Sequence, residues 1–374
     1  MKGTAGPRGS VGQAAEDIEP PRLAWDIGTA YDLFVSLAVL HAPERFGLRA
    51  SWAAGVRSRF PPAERKLLEE MHAIIWVPME WIHSLPEPKD AASAIWALRQ
   101  IPPRERLPAL TLTERLPSGV AEILRGVAAQ RAWNESDLEG LRAAFRGHDH
   151  SLSAKELTHA LDWWSRPEEF GDLVLSVLQS YQEAFFAEEE KRIYPALREG
   201  LEYAREQAGR LSLLELVEEL SQGVHFDQED FNVTEVVLAP TYWSTPLVIF
   251  TRVSEQQMIM LFGVRPPDAS LVPGEQVPDA LLQALKAMAD PTRLRILRYL
   301  AQETLTPSEL SRRLRLRAPT VTHHLSALRL AGLVRLTLQT GGEKCYTARL
   351  EGIASTFDHL EDFLENNLEK STED

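Results

Sequence analysis

The chain has 374 residues and a mass of 42.0 kDa, with 44% hydrophobic and 25% charged residues. That length points to two or three domains with sizeable cores, and the composition excludes a largely disordered protein. A formal net charge of −14 excludes a chain that coats nucleic acid with its whole surface, and the single cysteine, Cys345, excludes an intramolecular disulfide or a multi-thiolate zinc site within one chain.

The expected fold is mainly α with small β elements. Residues 1–21 are polar, Gly-rich and end in proline, and read as a flexible tail. The opening lacks an apolar signal core, and no later segment approaches the roughly 18 uninterrupted apolar residues of a membrane span. A cytoplasmic protein without membrane attachment is expected.

From "WDIGTAYDLFVSLAVL" to about Gly223 most segments have helical period. Asp26 is placed to cap the first helix, Pro61-Pro62 opens another, and Ser153 with Glu156 forms a capping box. The run from Ser176 to Gly209 reads as one long helix with Pro195 as a kink or break. Residues 234–263 hold three short runs rich in Val, Ile, Thr and aromatics, the signature of a small β-meander. A mostly helical regulatory region over 22–265 therefore ends in that meander. Residues 266–277, Pro-rich at both flanks, form a linker.

Charge then changes sign. Between Pro278 and Leu350 twelve Lys or Arg stand against five Asp or Glu, a net +7 that leaves −21 on the rest of the chain. A basic module on an acidic body suggests that only the module faces phosphate.

Within "PTVTHHLSALRLAGLV", residues 319–334, Val321, Leu325 and Leu328 fall within about 60° of one another on a helical wheel and form a buried stripe. Pro319, Thr322, His323 and Ser326 lie on the opposite face, with Thr320 less squarely outward. His323 and His324 diverge, so they do not chelate one ion together. Small hydroxyls and one imidazole suit close approach to base edges. Upstream, "TPSELSRRLRL" forms the preceding helix, Arg315 to Ala318 the turn, and Pro319 takes the first position of the second helix. Gly332 ends that helix, and two strands around Gly341-Gly342 make a wing on which Arg335 and Lys344 reach the nucleic-acid backbone. Cys345, in the second strand, reads as a packed side chain.

These residues resemble a known family. "ALKAMADPTRLRILRYLA" and "TPSELSRRLRLRAPTVTHHLSALRLAGLVRLTLQTGGEKCYTA" are similar to the winged helix of ArsR/SmtB-type transcriptional regulators, over roughly residues 277–368. The order of regions looks like the large subgroup carrying a long N-terminal domain of unknown function. The resemblance implies base contacts from Thr320, Thr322, His323 and Ser326, and phosphate contacts from Arg317, Arg335 and Lys344. It also implies a two-fold dimer built by the first and last helices of the domain, here Leu281, Leu285 and Met288 facing Ile353, Phe357, Leu360 and Leu364, so that 278–368 is one DNA-binding and dimerisation domain and 369–374 a tail. Two recognition helices then read double-stranded DNA as an inverted repeat with half-sites ~34–36 Å apart.

Metal-sensing relatives place cysteines before the recognition helix or an Asp/His set on the last helix. "PSELSRRL" has no cysteine, and Asp358 and His359 are adjacent rather than spaced as ligands. His148, Asp149, His150, His159 and Asp162 form a looser cluster that reads as solvated loop and helix face; no metal or other cofactor is expected. All tryptophans but Trp243 fall between Trp25 and Trp164 and read as core filler rather than a ligand cage. The expected function is a repressor, homodimeric and not an enzyme, whose N-terminal region modulates operator binding in response to a small molecule or protein of unidentified chemistry. The rivals are an N-terminal enzyme or a protein-interaction scaffold carrying an autoregulatory winged helix. Residues 21–270 contain no phosphate loop, G-x-S-x-G or H-E-x-x-H.

Overall fold

The computed structural model describes residues 20–114, 116–146, 153–267, 269, 277–338 and 344–369. After strand β1 (Arg22–Trp25) come α1 (Thr29–His41), α2 (Ala50–Arg57), α3 (Pro62–His72), α4 (Met79–Ser84), α5 (Ala91–Gln100) and α6 (Pro103–Thr111). They are followed by α7 (Val120–Gln130), α8 (Glu135–Ala144), α9 (Ala154–Trp164), α10 (Pro167–Tyr181), α11 (Ala187–Ala208) and α12 (Leu213–Leu220). The strands β2 (Val224–His225), β3 (Glu235–Thr241), β4 (Ile249–Arg252) and β5 (Gln257–Gly263) lead to the C-terminal domain. That domain comprises α13 (Asp279–Met288), α14 (Pro291–Leu300), α15 (Pro307–Leu314), α16 (Ala318–Leu330), β6 (Val334–Leu338), β7 (Lys344–Ala348) and α17 (Leu350–Glu369).

The first region is helical as predicted, but the strands at 234–263 do not form a meander. They join β1 in a sheet of order β1-β3-β5-β4, in which β1, β3 and β5 run parallel and only β4 is antiparallel. The reason lies in burial. Val237, Ala239, Ile259 and Leu261 face the helical bundle, whereas Val236, Leu238, Met258, Met260 and Phe262 face a second core with Leu216, Val217 and Leu220 of α12. A strand covered on both faces needs a continuous apolar run rather than an alternating one, the mark of a central parallel strand.

Local signals are mostly obeyed. Ser153 accepts from the amide of Glu156, whose carboxylate accepts from Ser153 N. Asp26 does not cap α1, which starts after Gly28. Its Oδ2 instead accepts from Lys89 Nζ at 2.6 Å and Tyr31 Oη at 2.8 Å, with His83 Nδ1 also at 2.8 Å. Pro195 neither breaks nor ends its helix, because α11 runs through it; the irregularity is a π-helical turn at Gln182–Phe186 between α10 and α11. Most of the predicted tail lies outside the described residues, and so does most of the predicted linker. Trp164 and Trp243 are fully buried fillers, while Trp76 and Trp96 are exposed. No helix among the described residues is long and apolar enough to cross a membrane.

Candidate nucleic-acid interface

The C-terminal domain closes on its own core of Ile296, Leu300, Leu310, Leu314, Val321, Leu325, Leu328 and Leu333. Asp290 caps α14 by accepting from the amides of Thr292 and Arg293, at 2.8 and 2.9 Å. Thr306 and Glu309 form a capping box at α15. The turn into α16 passes through Arg315 in the left-handed region, φ 56°. Ala318 takes the first helical position and Pro319 the second, one residue later than expected; either site lacks an intrahelical partner for its nitrogen.

The recognition face follows the helical wheel. Val321, Leu325 and Leu328 are fully buried, and Pro319, Thr320, Thr322, His323 and Ser326 are all exposed on α16. His324 sits half-buried on the flank, where burial holds its imidazole below the usual histidine range. The helix ends as predicted at Gly332, φ 69°: its amide donates to Arg329 O and that of Leu333 donates to Leu328 O, both at 3.0 Å. Arg317 is exposed immediately before α16, and so is Lys344 at the start of β7. The predicted turn at Gly341-Gly342 lies outside the described residues. Cys345 is buried in β7. Exposed Arg312 and Arg315, absent from the contact residues the sequence singles out, flank the same helix pair, and their place just before the recognition helix is the sequence signal that marks them.

Arg335 differs from the expectation of a free phosphate ligand. The wing sheet has three strands, β2-β6-β7, and the outer one comes from the N-terminal region. Val224 and His225 pair parallel with Leu336 and Thr337, and Leu336 N donates to Gly223 O at 3.0 Å. Gly223 stands at φ 96°, directly after Gln222 at φ 54°, so the chain doubles back sharply after α12 to reach β6. Beside this strand Arg335 Nε lies 2.8 Å from Glu218 Oε1, and Nη2 lies 3.2 Å from Glu351 Oε1. Glu218 also meets His225 Nδ1, at 2.7 Å.

The same segment reaches the end of the recognition helix. Arg329, buried in the last turn of α16, donates through Nη2 to Ser221 O at 3.2 Å, and burial lowers its guanidinium to about 10. Arg349 donates to Gln222 O at 3.4 Å. Leu338 of β6 packs against the core that includes α12. A second contact joins α13 to the region after α1: Arg49 pairs with Asp279 at 2.9 Å, and a Cβ on Gly47 would stand 2.5 Å from the Gln283 amide. Recognition helix, wing and first helix of the domain are therefore all gripped by the N-terminal region.

Of the residues assigned to dimerisation, Leu281 is buried within the chain, where α13 packs on α17. Leu285, Met288, Ile353 and Leu360 are half-buried, and Phe357 and Leu364 stand 50% and 56% exposed along α17. No group of three metal-ligating side chains occurs among the described residues. His148, Asp149 and His150 lie outside them, while Asp162 accepts from Trp133 Nε1 at 2.8 Å.

Residues 290–335 match the family described as bacterial regulatory protein, arsR family. Among solved structures, HlyU from Vibrio cholerae N16961 is 36% identical, over 21% of this chain and 84% of its own, with a TM-score of 0.19. No curated protein matches the chain.

Proposed function

We propose, from the match of its C-terminal domain to the arsR family of bacterial regulatory proteins, that this DNA-binding regulator is a cytoplasmic homodimeric repressor whose N-terminal region modulates operator binding. The observation that carries this reading is the exposure of Pro319, Thr320, Thr322, His323 and Ser326 on one face of α16, whose last turn is held by the N-terminal region through Arg329 and Ser221. Side chains this small let the helix backbone approach base edges closely in a major groove. Arg312, Arg315, Arg317 and Lys344 supply charge for the flanking phosphates.

Modulation follows from the shared wing sheet. A rearrangement of the segment joining α12 to β2 displaces the wing strand and the end of the recognition helix together, and a ligand that favours one arrangement shifts the affinity for DNA by its own preference between the two. We read the N-terminal region as regulatory rather than catalytic. Phe357 and Leu364 supply an apolar face on α17 for a second copy.

Binding of the full chain to duplexes carrying its own upstream region, measured from about 50 to about 200 mM salt, tests the proposal. A fall of at least tenfold across that range is expected if several arginines meet phosphate. A flat profile would instead favour a protein-interaction scaffold.

A further inference from the structure

A second feature concerns the N-terminal region alone. The C-terminal ends of α1 and α3 bring His41 and His72 face to face, with ring centroids 4.9 Å apart and planes 16° from parallel. The two line an open cleft of about 610 Å³ together with Arg57, Arg65, Lys66 and Glu69. In a chain of net charge −14, such a concentration of cations with a single lining acid is unusual.

The proton positions are set by local bonds. His41 Nδ1 lies 2.8 Å from Leu37 O and must donate to it, which leaves Nε2 as the acceptor nitrogen of the neutral ring. His72 Nδ1 is buried without a partner. An unpaired lone pair costs less there than an unpaired N–H, so the proton belongs on Nε2, the nitrogen left for the cleft the ring lines. Burial, then the His41 ring and Arg45, push His72 down to about 4. Burial and Arg57 lower His41 as well, against Leu37 O and Glu69, which favour its charged form. Arg57 caps α1 by donating to Leu40 O at 3.0 Å, and Lys66 pairs loosely with Glu70 at 3.6 Å. Arg65 is exposed and makes no ion pair among the described residues.

We propose that the cleft between α1, α2 and α3 binds a small ligand through an oxyanion, a phosphate or a carboxylate, held by Arg57, Arg65 and the two imidazoles. A cation is disfavoured by the arginines, and an uncharged ligand leaves their charge unanswered. Seating an anion offsets the field of Arg45 and Arg57 on the rings, so binding draws protons onto His41 and His72 and strengthens as pH falls. Glu69 and Glu70 of α3 and Glu44 in the turn after α1 oppose it; the other acids on these helices are engaged elsewhere, Glu64 accepting from Ser180 Oγ and buried Asp32 from the amides of Tyr242 and Trp243. The site connects onward, because the turn Pro43–Phe46 begins just past Ala42, the residue after His41, and leads to Gly47 and Arg49 against α13. Its use as an effector site rests on the DNA-binding reading, whereas the binding itself does not.

Calorimetric titration of the full chain with inorganic phosphate and, separately, with succinate at about pH 6 and about pH 8 tests this, alongside Arg65→Ala and His72→Gln. Saturable binding that is severalfold tighter at the lower pH is expected, weakened about tenfold by Arg65→Ala. Binding of phosphate alone assigns a phosphorylated ligand, and binding of succinate alone a carboxylate. Heats absent for both probes at millimolar concentration, or binding undiminished in Arg65→Ala, overturns the proposal; that exposed substitution keeps the test open if His72→Gln fails to fold. No DNA is present in the measurement, so its failure leaves the operator reading intact.

Discussion

Glu218 of α12 and Arg335 of the wing strand β6 lie 2.8 Å apart, across the boundary between the N-terminal region and the DNA-binding domain. A phosphate that needs Arg335 must compete with this carboxylate and with Glu351 at 3.2 Å. Glu218→Gln should therefore raise affinity for duplex DNA severalfold and steepen its salt dependence by about one released counterion. The double variant with Arg335→Ala separates causes: a gain that persists without Arg335 reflects general charge, not this pair.

His323→Ala and Thr322→Ala should each weaken binding to the specific operator by roughly 1–3 kcal/mol, with little effect on unrelated duplexes. Arg317→Ala should weaken both alike, because a phosphate carries no sequence information. Competition binding with both classes of duplex distinguishes these patterns, and equal losses for His323→Ala would relocate the reading face.

Phe357→Glu or Leu364→Glu places a carboxylate on the exposed face of α17, where neither side chain contributes to the buried core. The folded chain should remain intact while the proposed dimer dissociates, read as a halved mass by light scattering. A mass unchanged in both variants moves the interface elsewhere.

Asp32 is fully buried, and burial raises its carboxyl from 3.8 to about 7 despite amides of Tyr242 and Trp243 donating to Oδ1 at 2.9 Å. Below pH 3.8 both folded and unfolded chains carry the proton. As pH rises towards about 7 the unfolded state ionises first, so stability from this group is lost over that window. Asp32→Asn keeps the Oδ1 acceptor and should remove roughly 2–4 kcal/mol of that pH dependence. Urea unfolding of both proteins at about pH 4.5 and 7.5 gives the comparison; parallel profiles would falsify the assignment.

The recognition helix was legible because a single stripe, Val321, Leu325 and Leu328, had one surface to bury and thereby fixed everything on the other side. The capping box at Ser153 and Glu156 was legible for the same local reason. Pairing partners were not. The four residues of β1 and the two of β2 are too short to show a period, and each becomes a strand only because a distant edge accepts its backbone. Asp26 had the right position for a cap, yet Lys89 and His83, far along the chain, outbid the helix for its carboxylate. The runs EVVLAPT and QMIMLFG did carry a hint, since apolar residues without alternation belong inside a parallel sheet.

The borrowed strand also limits how this DNA-reading head could be transplanted. Severed near residue 277, the remaining fragment would present a naked β6 edge and leave Arg329 facing emptied space, an invitation to strand exchange between copies. A chimaera that grafts this domain onto another sensor would need to bring α12 and β2 along with it, even though they precede the head by some fifty residues in the chain.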